Sequence, residues 1–311
     1  MKKYNQYHIK QISKEDIPAF TNLYNLVFNK KFNSDVFKKK FETNWAKRTY
    51  IGYLAFHENG EIAAYYGVYP SILKVNEKIH FSAQSAETMT HPNHRRKGLF
   101  KVLMDETLSL CKSENIELIY GFPNSNSYPQ FMKSGWKHSE NIIRYNIPVK
   151  LTLAQKIFRK INNTHYQTTA LKILRGFEKN KFSNWSYEKN IINQLFHPRI
   201  QEYIEYKEFK NNFRVFTKYG EALVSWKYND LLIGEFQVND KEKNQSFWTE
   251  LINIGVKIGA NNLILDSTEE NQVPSSITHF KIQGLPIIYY SLNPEIQNLK
   301  FNFTGLDFDT F

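Results

Sequence analysis

The chain has 311 residues, 41 % of them hydrophobic and 15 % aromatic, and 41 Lys and Arg stand against 30 Asp and Glu, for a net charge of +11 and a pI near 9.3. That length and apolar content support about two ordinary domains with aromatic-rich cores and exclude intrinsic disorder, while the charge favours anionic partners without choosing among nucleotides, phosphorylated cofactors, lipid and nucleic acid. The single cysteine, Cys111, excludes an internal disulfide, and no run of about 18 apolar residues and no apolar segment after the basic start provides a membrane span or secretory signal, so a reducing, cytoplasmic setting is expected.

Residues 7–12 alternate like a short strand. Ser13 with Asp16 three positions on forms a capping-box pattern, and Ile17, Phe20, Leu23, Tyr24, Val27 and Phe28 follow helical spacing. A second helix is expected from Ser34. Three strands in a meander come next, Tyr50–His57, Ile62–Leu73 and Lys78–Thr90, with Glu58-Asn59-Gly60-Glu61 and Asn76-Glu77 as turns. A basic loop, His91–Lys97, then leads into a helix from Gly98. A buried strand at Ile116–Tyr120, a loop from Phe122 to Tyr128, a short helix and a strand at Asn141–Ile147 complete about 150 residues. The crossover helix between strands predicts an α/β fold with a mixed sheet.

Residues 150–181 hold eight cations (Lys150, Lys156, Arg159, Lys160, Lys172, Arg175, Lys179, Lys181) against one acid, Glu178, and read as two basic amphipathic helices. The second half repeats the meander–helix–strand succession: strands at Phe213–Lys218, Glu221–Tyr228 and Leu231–Val238, a helix at Phe247–Ile258, a strand at Asn262–Asp266, a helix at Pro274–Gln283 and a strand at Ile287–Ser291. This reads as a degenerate duplication. The expected domains are 1–149, a connector at 150–190, and 191–311.

The segment that carries chemistry is His91-Pro-Asn-His-Arg-Arg-Lys-Gly-Leu-Phe100, placed between a strand and a helix. A helix N-terminus presents unpaired N–H groups and partial positive charge, glycine admits a ligand close to the backbone, and three consecutive cations add Coulombic attraction, which together make a pyrophosphate seat. Pro92, Arg95 and Gly98 make this stretch resemble motif A of the GNAT acetyltransferases, Pro-x-x-Arg-x-x-Gly-x-(Gly/Ala), with Phe100 replacing the final small residue. The resemblance implies a GNAT fold and acetyl-CoA as co-substrate. It places the pyrophosphate on Arg95, Arg96, Lys97, Gly98, Leu99 and Phe100, and the pantetheine arm against Met89 and Thr90. Tyr120-Gly-Phe-Pro-Asn124 followed by Tyr128, Phe131 and Gly135-Trp136 resembles motif B and implies a CoA contact at Asn124. Phe131 stands where the family often has the tyrosine that protonates the leaving thiolate, which leaves Tyr128, one turn earlier, as candidate acid.

Acyl transfer needs a neutral amine, so a carboxylate base is expected. Glu87, the only acid on Lys78–Thr90 beyond its start, is the candidate, and pairing with a neighbouring cation is its structural alternative. The terminal carboxylate of Phe311 is a second candidate. The nine histidines show no metal spacing; His91 and His94 flank the loop and are expected to tune it, with no metal. The second half has no cationic glycine loop, Asp240–Gln245 standing in its place, and is expected to build the acceptor pocket or a domain interface; an exposed strand edge or the 150–181 helices offer a homodimer contact. The two-domain resemblance implies a small-molecule amine acceptor, an amino sugar of a cell-surface polysaccharide pathway. Three alternatives stay open: a Fem-type aminoacyl transferase using aminoacyl-tRNA, although nucleic acid is not the favoured partner; a non-catalytic adaptor; and, for residues 150–181, the less favoured reading of an anionic membrane surface.

Overall fold

The computed structural model describes residues 2–161, 163–177, 193–208, 212–296 and 300–308. In chain order the strands and α-helices are β1 (Lys2–Tyr4), β2 (Tyr7–Gln11), α1 (Ile17–Phe28), α2 (Ser34–Phe41), β3 (Ile51–His57), β4 (Ile62–Val75), β5 (Lys78–Thr90), α3 (Leu99–Ser113), β6 (Leu118–Gly121), α4 (Tyr128–Lys133), β7 (Lys137–Pro148), α5 (Leu153–Ile161), α6 (Asn163–Gly176), β8 (Gln194–Leu195), α7 (Gln201–Glu208), β9 (Asn212–Phe216), β10 (Gly220–Lys227), β11 (Asp230–Val238), α8 (Asn244–Ile258), β12 (Asn262–Ser267), β13 (Phe280–Ser291) and β14 (Lys300–Phe301). No described helix is long and apolar enough to cross a membrane.

The chain gathers into two units. The first holds Met1–Ser139, Ile192–Pro198 and Pro286–Lys300; the second holds Glu140–Ile191, Arg199–Leu285 and Phe301–Phe311. The described residues of 150–177 therefore belong with the second unit, and the chain passes between units near Ser139, inside β7.

In the first unit the strands run β1-β2-β3-β4-β5-β6-β13. The meander is antiparallel. β6 joins β5 in parallel through the α3 crossover, and β13 pairs antiparallel with β6, Ile288 opposite Gly121 and Ser291 opposite Leu118. One face is covered by α3 and α4, whose Leu99, Leu103, Met104, Cys111 and Phe131 bury against Tyr66, Val68, Ala83 and Ile119. The other face is covered by α1 and α2, where Phe20, Phe37 and Phe41 meet Tyr65 and Tyr69. The capping box at Ser13 forms as expected: Asp16 Oδ2 accepts from the Ser13 amide and hydroxyl at 2.9 and 2.7 Å.

In the second unit the order is β7-β12-β11-β10-β9, with α6 and α8 packed over Val215, Val224, Ile233 and Leu263. The two basic helices lie where expected within the described residues, and α5 leaves Leu153 and Ile157 exposed. The helix expected at Pro274–Gln283 does not form. Strand β13 begins at Phe280 and carries through Gly284 to Ser291. The β-branched and aromatic residues Phe280, Ile282, Ile287 and Ile288 favour extended backbone and outweigh the weak helical spacing of Val273 and Ile277.

Cys111 sits in the α3 core with no exposed surface, and burial pushes its thiol up to about 12. At neutral pH the native protein is expected to resist a thiol reagent such as DTNB and to react with one equivalent once unfolded, a contrast read from absorbance with and without denaturant.

Candidate functional site

The site grows out of strand β5. It pairs with β4 along its length but with β6 only from Ser82–Leu118 to Ser85–Gly121, beyond which the two parallel strands part. Just past the last pair lies a β-bulge. Gly67 pairs with Ala86 and Tyr65 with Met89, so Glu87 and Thr88 together oppose Tyr66. Glu87 takes a left-handed φ of 55° to make the bend. The strands' parting leaves the β6-facing backbone groups of residues 86–90 without a strand partner, an open ladder that a ligand amide can join. Ser85 Oγ, at the apex, donates to Tyr66 Oη at 3.2 Å, and burial raises the Tyr66 phenol.

After Thr90 the chain makes a single 3-10 turn, Pro92–His94, and curls into α3. Arg96 and Gly98 carry the curl with φ of 61° and 76°. Gly98 caps α3, so the N–H groups of its first turn have no acceptor within the helix and face outward. Arg95, Arg96 and Lys97 are exposed, and among the described residues none of the three is engaged by a carboxylate. Phe100 turns inward, edge-on to Tyr66 and Phe131 at 5.7 and 5.4 Å between ring centres. Replacing the motif's small residue by phenylalanine therefore fills the core and leaves the outward amides clear.

A strand parting, a bulge and a cationic helix N-terminus in this sequence match a known domain: residues 8–139 fit the model of the acetyltransferase (GNAT) domain. Residues 8–139 are a GNAT acetyltransferase domain. Solved structures agree on the fold. A GCN5-related N-acetyltransferase from Kribbella flavida superimposes with a TM-score of 0.60 at 13 % identity, over 92 % of this chain and 71 % of that one. A GCN5-related glucosamine N-acetyltransferase region of a fungal multi-domain β-N-acetylglucosaminidase gives 0.54 at 12 %, over 91 % and 38 %. Saccharomyces cerevisiae N-myristoyltransferase with bound myristoyl-CoA gives 0.54 at 10 %, over 93 % and 79 %. No curated protein sequence matches the chain closely enough to count as a relative.

Within this GNAT domain the expected site residues fall into three places. Arg95 to Phe100 form one surface, with Met89 and Thr90 leading into it; the Met89 side chain is buried in the α1/α2 layer, so its backbone is the part that can meet a ligand. Asn124 is exposed. Its Oδ1 accepts from the Asn126 and Ser127 amides at 2.9 and 3.0 Å, and its carbonyl accepts from the Tyr128 amide at 3.0 Å, so it shapes the start of α4. Tyr128 is half-buried in the α3/α4 layer, with Oη 3.4 Å from His138 Nδ1. Phe131 is buried against Trp136 at 4.8 Å.

Glu87 lies against the other layer. Its carboxylate accepts a hydrogen bond from Lys40 of α2, both side chains less than a tenth exposed, and the Lys40 ammonium stands over the Tyr69 ring at 5.4 Å from its centre. Burial, and then the Glu87 charge, raise the neighbouring Tyr65 phenol. Lys40 was not legible in sequence: Lys38-Lys39-Lys40 reads as a solvated face, and only its place between the core residues Phe37 and Phe41 hints that it turns inward. Glu87 and Tyr128 are thus carried by opposite layers of the sheet. Phe311 lies outside the described residues.

A second cluster stands behind the loop. His94 Nε2 lies 2.8 Å and His91 Nε2 3.4 Å from the two carboxylate oxygens of Glu61 in the β3–β4 turn, and Tyr7 Oη lies 3.0 Å from His94 Nδ1. The hydrogen bond from His94, with the nearby His91 and His57, holds the Glu61 carboxyl below its ordinary range.

The second unit has a corresponding strand parting, since β11 pairs with β12 only from Leu231–Leu263 to Ile233–Leu265. There, however, residues 303–308 fill the gap. Ser267 bridges Thr304, a Cβ on Gly305 would come within 3.0 Å of the Ile233 carbonyl, and Arg199, itself buried, ties Glu235 at 2.6 Å to Asp307 at 2.7 Å.

Proposed function

We propose that this GNAT protein is an N-acyltransferase that moves an acetyl group from acetyl-CoA to a primary amine. The observation that carries the reading is the parting of β5 and β6 in front of the cationic start of α3. The outward amides from Gly98 to Phe100, with Arg95, Arg96 and Lys97, hold the pyrophosphate, and the open backbone at 86–90 receives the pantetheine amides, which brings the thioester to the bulge. An amine approaching from the α1/α2 layer meets Glu87. The amine nitrogen attacks the thioester carbonyl, its proton passes to Glu87, the C–S bond breaks, and the leaving thiolate takes a proton from Tyr128, which His138 can help to resupply. Lys40 holds the Glu87 carboxylate in place by a hydrogen bond before substrate arrives. An amino sugar of a cell-surface polysaccharide pathway is the acceptor class we favour. The fungal glucosamine N-acetyltransferase region supports it, being a glucosamine acetyltransferase on the same fold.

Titration calorimetry with acetyl-CoA tests the donor: one micromolar site per chain is expected, followed by turnover on a panel of amino sugars. Absent acetyl-CoA binding, with a melting shift from aminoacyl-tRNA instead, would move the protein to the Fem type, for which the basic segment 150–181 speaks; no response to either would leave a non-catalytic fold. Tyr128→Phe is expected to lower kcat by about 100-fold with little change in KM for acetyl-CoA. A change of less than about twofold would assign Tyr128 to packing alone.

A further inference from the structure

We propose that Glu61, His91 and His94 form a binding site for one divalent transition-metal ion, with Zn²⁺ the best match. The two histidines, close together in sequence, lie in the loop between β5 and α3, while Glu61 comes from the β3–β4 turn, so the third ligand is remote in sequence and the set shows no contiguous ligand motif. The fold brings them together. Backbone bonds preset the geometry, since the His91 amide donates to the Ala63 carbonyl at 2.8 Å, which fixes the loop's entry beside the turn that carries Glu61.

Glu61 Oε2 lies 2.8 Å from His94 Nε2, Glu61 Oε1 lies 3.4 Å from His91 Nε2, and the three donor groups fall within 4.8 Å of one another. Ligands held about 2.0–2.2 Å from a tetrahedral Zn²⁺ stand about 3.3 Å apart. The observed separations bracket that figure, so seating an ion requires rotation of side chains and no movement of strands. Two imidazoles and one carboxylate suit zinc over the hard cations, which prefer all-oxygen sites. Both histidines are buried, whereas the Glu61 side chain is 39 % exposed and gives an ion and a water in the fourth position a route from solvent.

The proton arrangement is consistent with metal capture. An ion would displace the proton that bridges His94 Nε2 and Glu61, so that His94 carries its proton on Nδ1 and donates it to Tyr7 Oη at 3.0 Å, the outer hydrogen bond that orients a metal-bound histidine. His91 Nδ1 accepts from the Asn93 amide at 3.3 Å, a long contact. An ion at His91 Nε2 moves that ring's proton to Nδ1 and exchanges this one weak bond for a metal–nitrogen bond. His57 lies beside His94 at 5.2 Å between ring centres, with its Nδ1 turned to the Asn59 amide, and is a neighbour of the site. A bound ion would fasten the β3–β4 turn to the loop that ends in the phosphate seat, and so fix the loop's starting point.

The test uses the full chain made without a histidine tag, stripped with EDTA and dialysed. Zn²⁺ is then titrated by calorimetry, bound metal is counted by mass spectrometry, and melting is followed with and without the ion. One Zn²⁺ per chain and a melting temperature raised by several degrees are expected, with affinity reduced at least 100-fold in Glu61→Gln and in His94→Gln, and about tenfold in Tyr7→Phe, which keeps the fold. No stoichiometric uptake by the wild-type chain overturns the proposal, as does equal uptake by both ligand variants, which would mark an adventitious ion only. Should a ligand variant fail to fold, wild-type stoichiometry and the Tyr7→Phe affinity still decide. None of these readouts depends on acetyl transfer, so failure of this proposal and failure of the proposed activity are separate results.

Discussion

Gly98→Glu is expected to weaken acetyl-CoA binding by at least about 100-fold, some 2.7 kcal/mol, while the protein stays folded. Two effects act together. The carboxylate would occupy the mouth of the α3 N-terminus and present a negative charge where the pyrophosphate must sit, and it would cancel part of the attraction from Arg95, Arg96 and Lys97. The backbone cost is modest. Gly98 has a φ of 76°, which costs a non-glycine residue about 1 kcal/mol, and its Cβ would come within 2.9 Å of Tyr4 Oη, the far end of a side chain that can swing away. A melting temperature within a few degrees of wild type, with calorimetric binding lost, is the expected pair of results. Arg95→Ala provides a control free of backbone strain and should weaken binding in the same direction. Unchanged affinity in both variants would remove the phosphate seat from this loop.

Glu87→Gln is expected to lower kcat by about 1000-fold and to leave KM for acetyl-CoA nearly unchanged, because the carboxylate is needed to take the proton and not to hold the donor. The glutamine amide oxygen can still accept from Lys40, so the α2 contact persists and the variant should fold. A rise in KM at constant kcat would instead mark Glu87 as a structural partner of Lys40. Lys40→Met probes the same pair from the other side: it strands a buried carboxylate and is expected to destabilise the fold by about 3–5 kcal/mol, read from chemical denaturation.

Much of the first unit was legible in the sequence because its signals are local. The Asn76-Glu77 turn and the basic loop after Thr90 bounded β5 at its observed ends, and Ser13-x-x-Asp16 gave the cap of the first helical turn. Pro92, Arg95 and Gly98 marked the phosphate seat because a left-handed cap before a helix has a fixed chemistry. What could not be read depends on residues meeting from afar. The bulge at Glu87 arises from a register shift against Tyr65 and Gly67, Lys40 reaches Glu87 from another element, and Glu61 reaches His91 and His94 across a turn. The expected helix at Pro274–Gln283 failed for a related reason, since β13 also stands beside β7, from a distant part of the chain, where a Cβ on Gly284 would come within 3.0 Å of the Ile142 carbonyl.

The two units draw on late parts of the chain in an interleaved way. The first unit's sheet is completed by Pro286–Ser291, and the second unit's strand parting is filled by residues 303–308. A growing chain therefore exposes the free edge of β6 until Ile288–Ser291 have been made, and the open space beside β11 until residues 303–308 have been made. Each unit must close contacts of long sequence separation late in its folding. Such a topology folds slowly and leaves strand edges unprotected meanwhile, so the yield of soluble protein should depend on temperature and chaperone supply during expression more steeply than native stability alone would suggest.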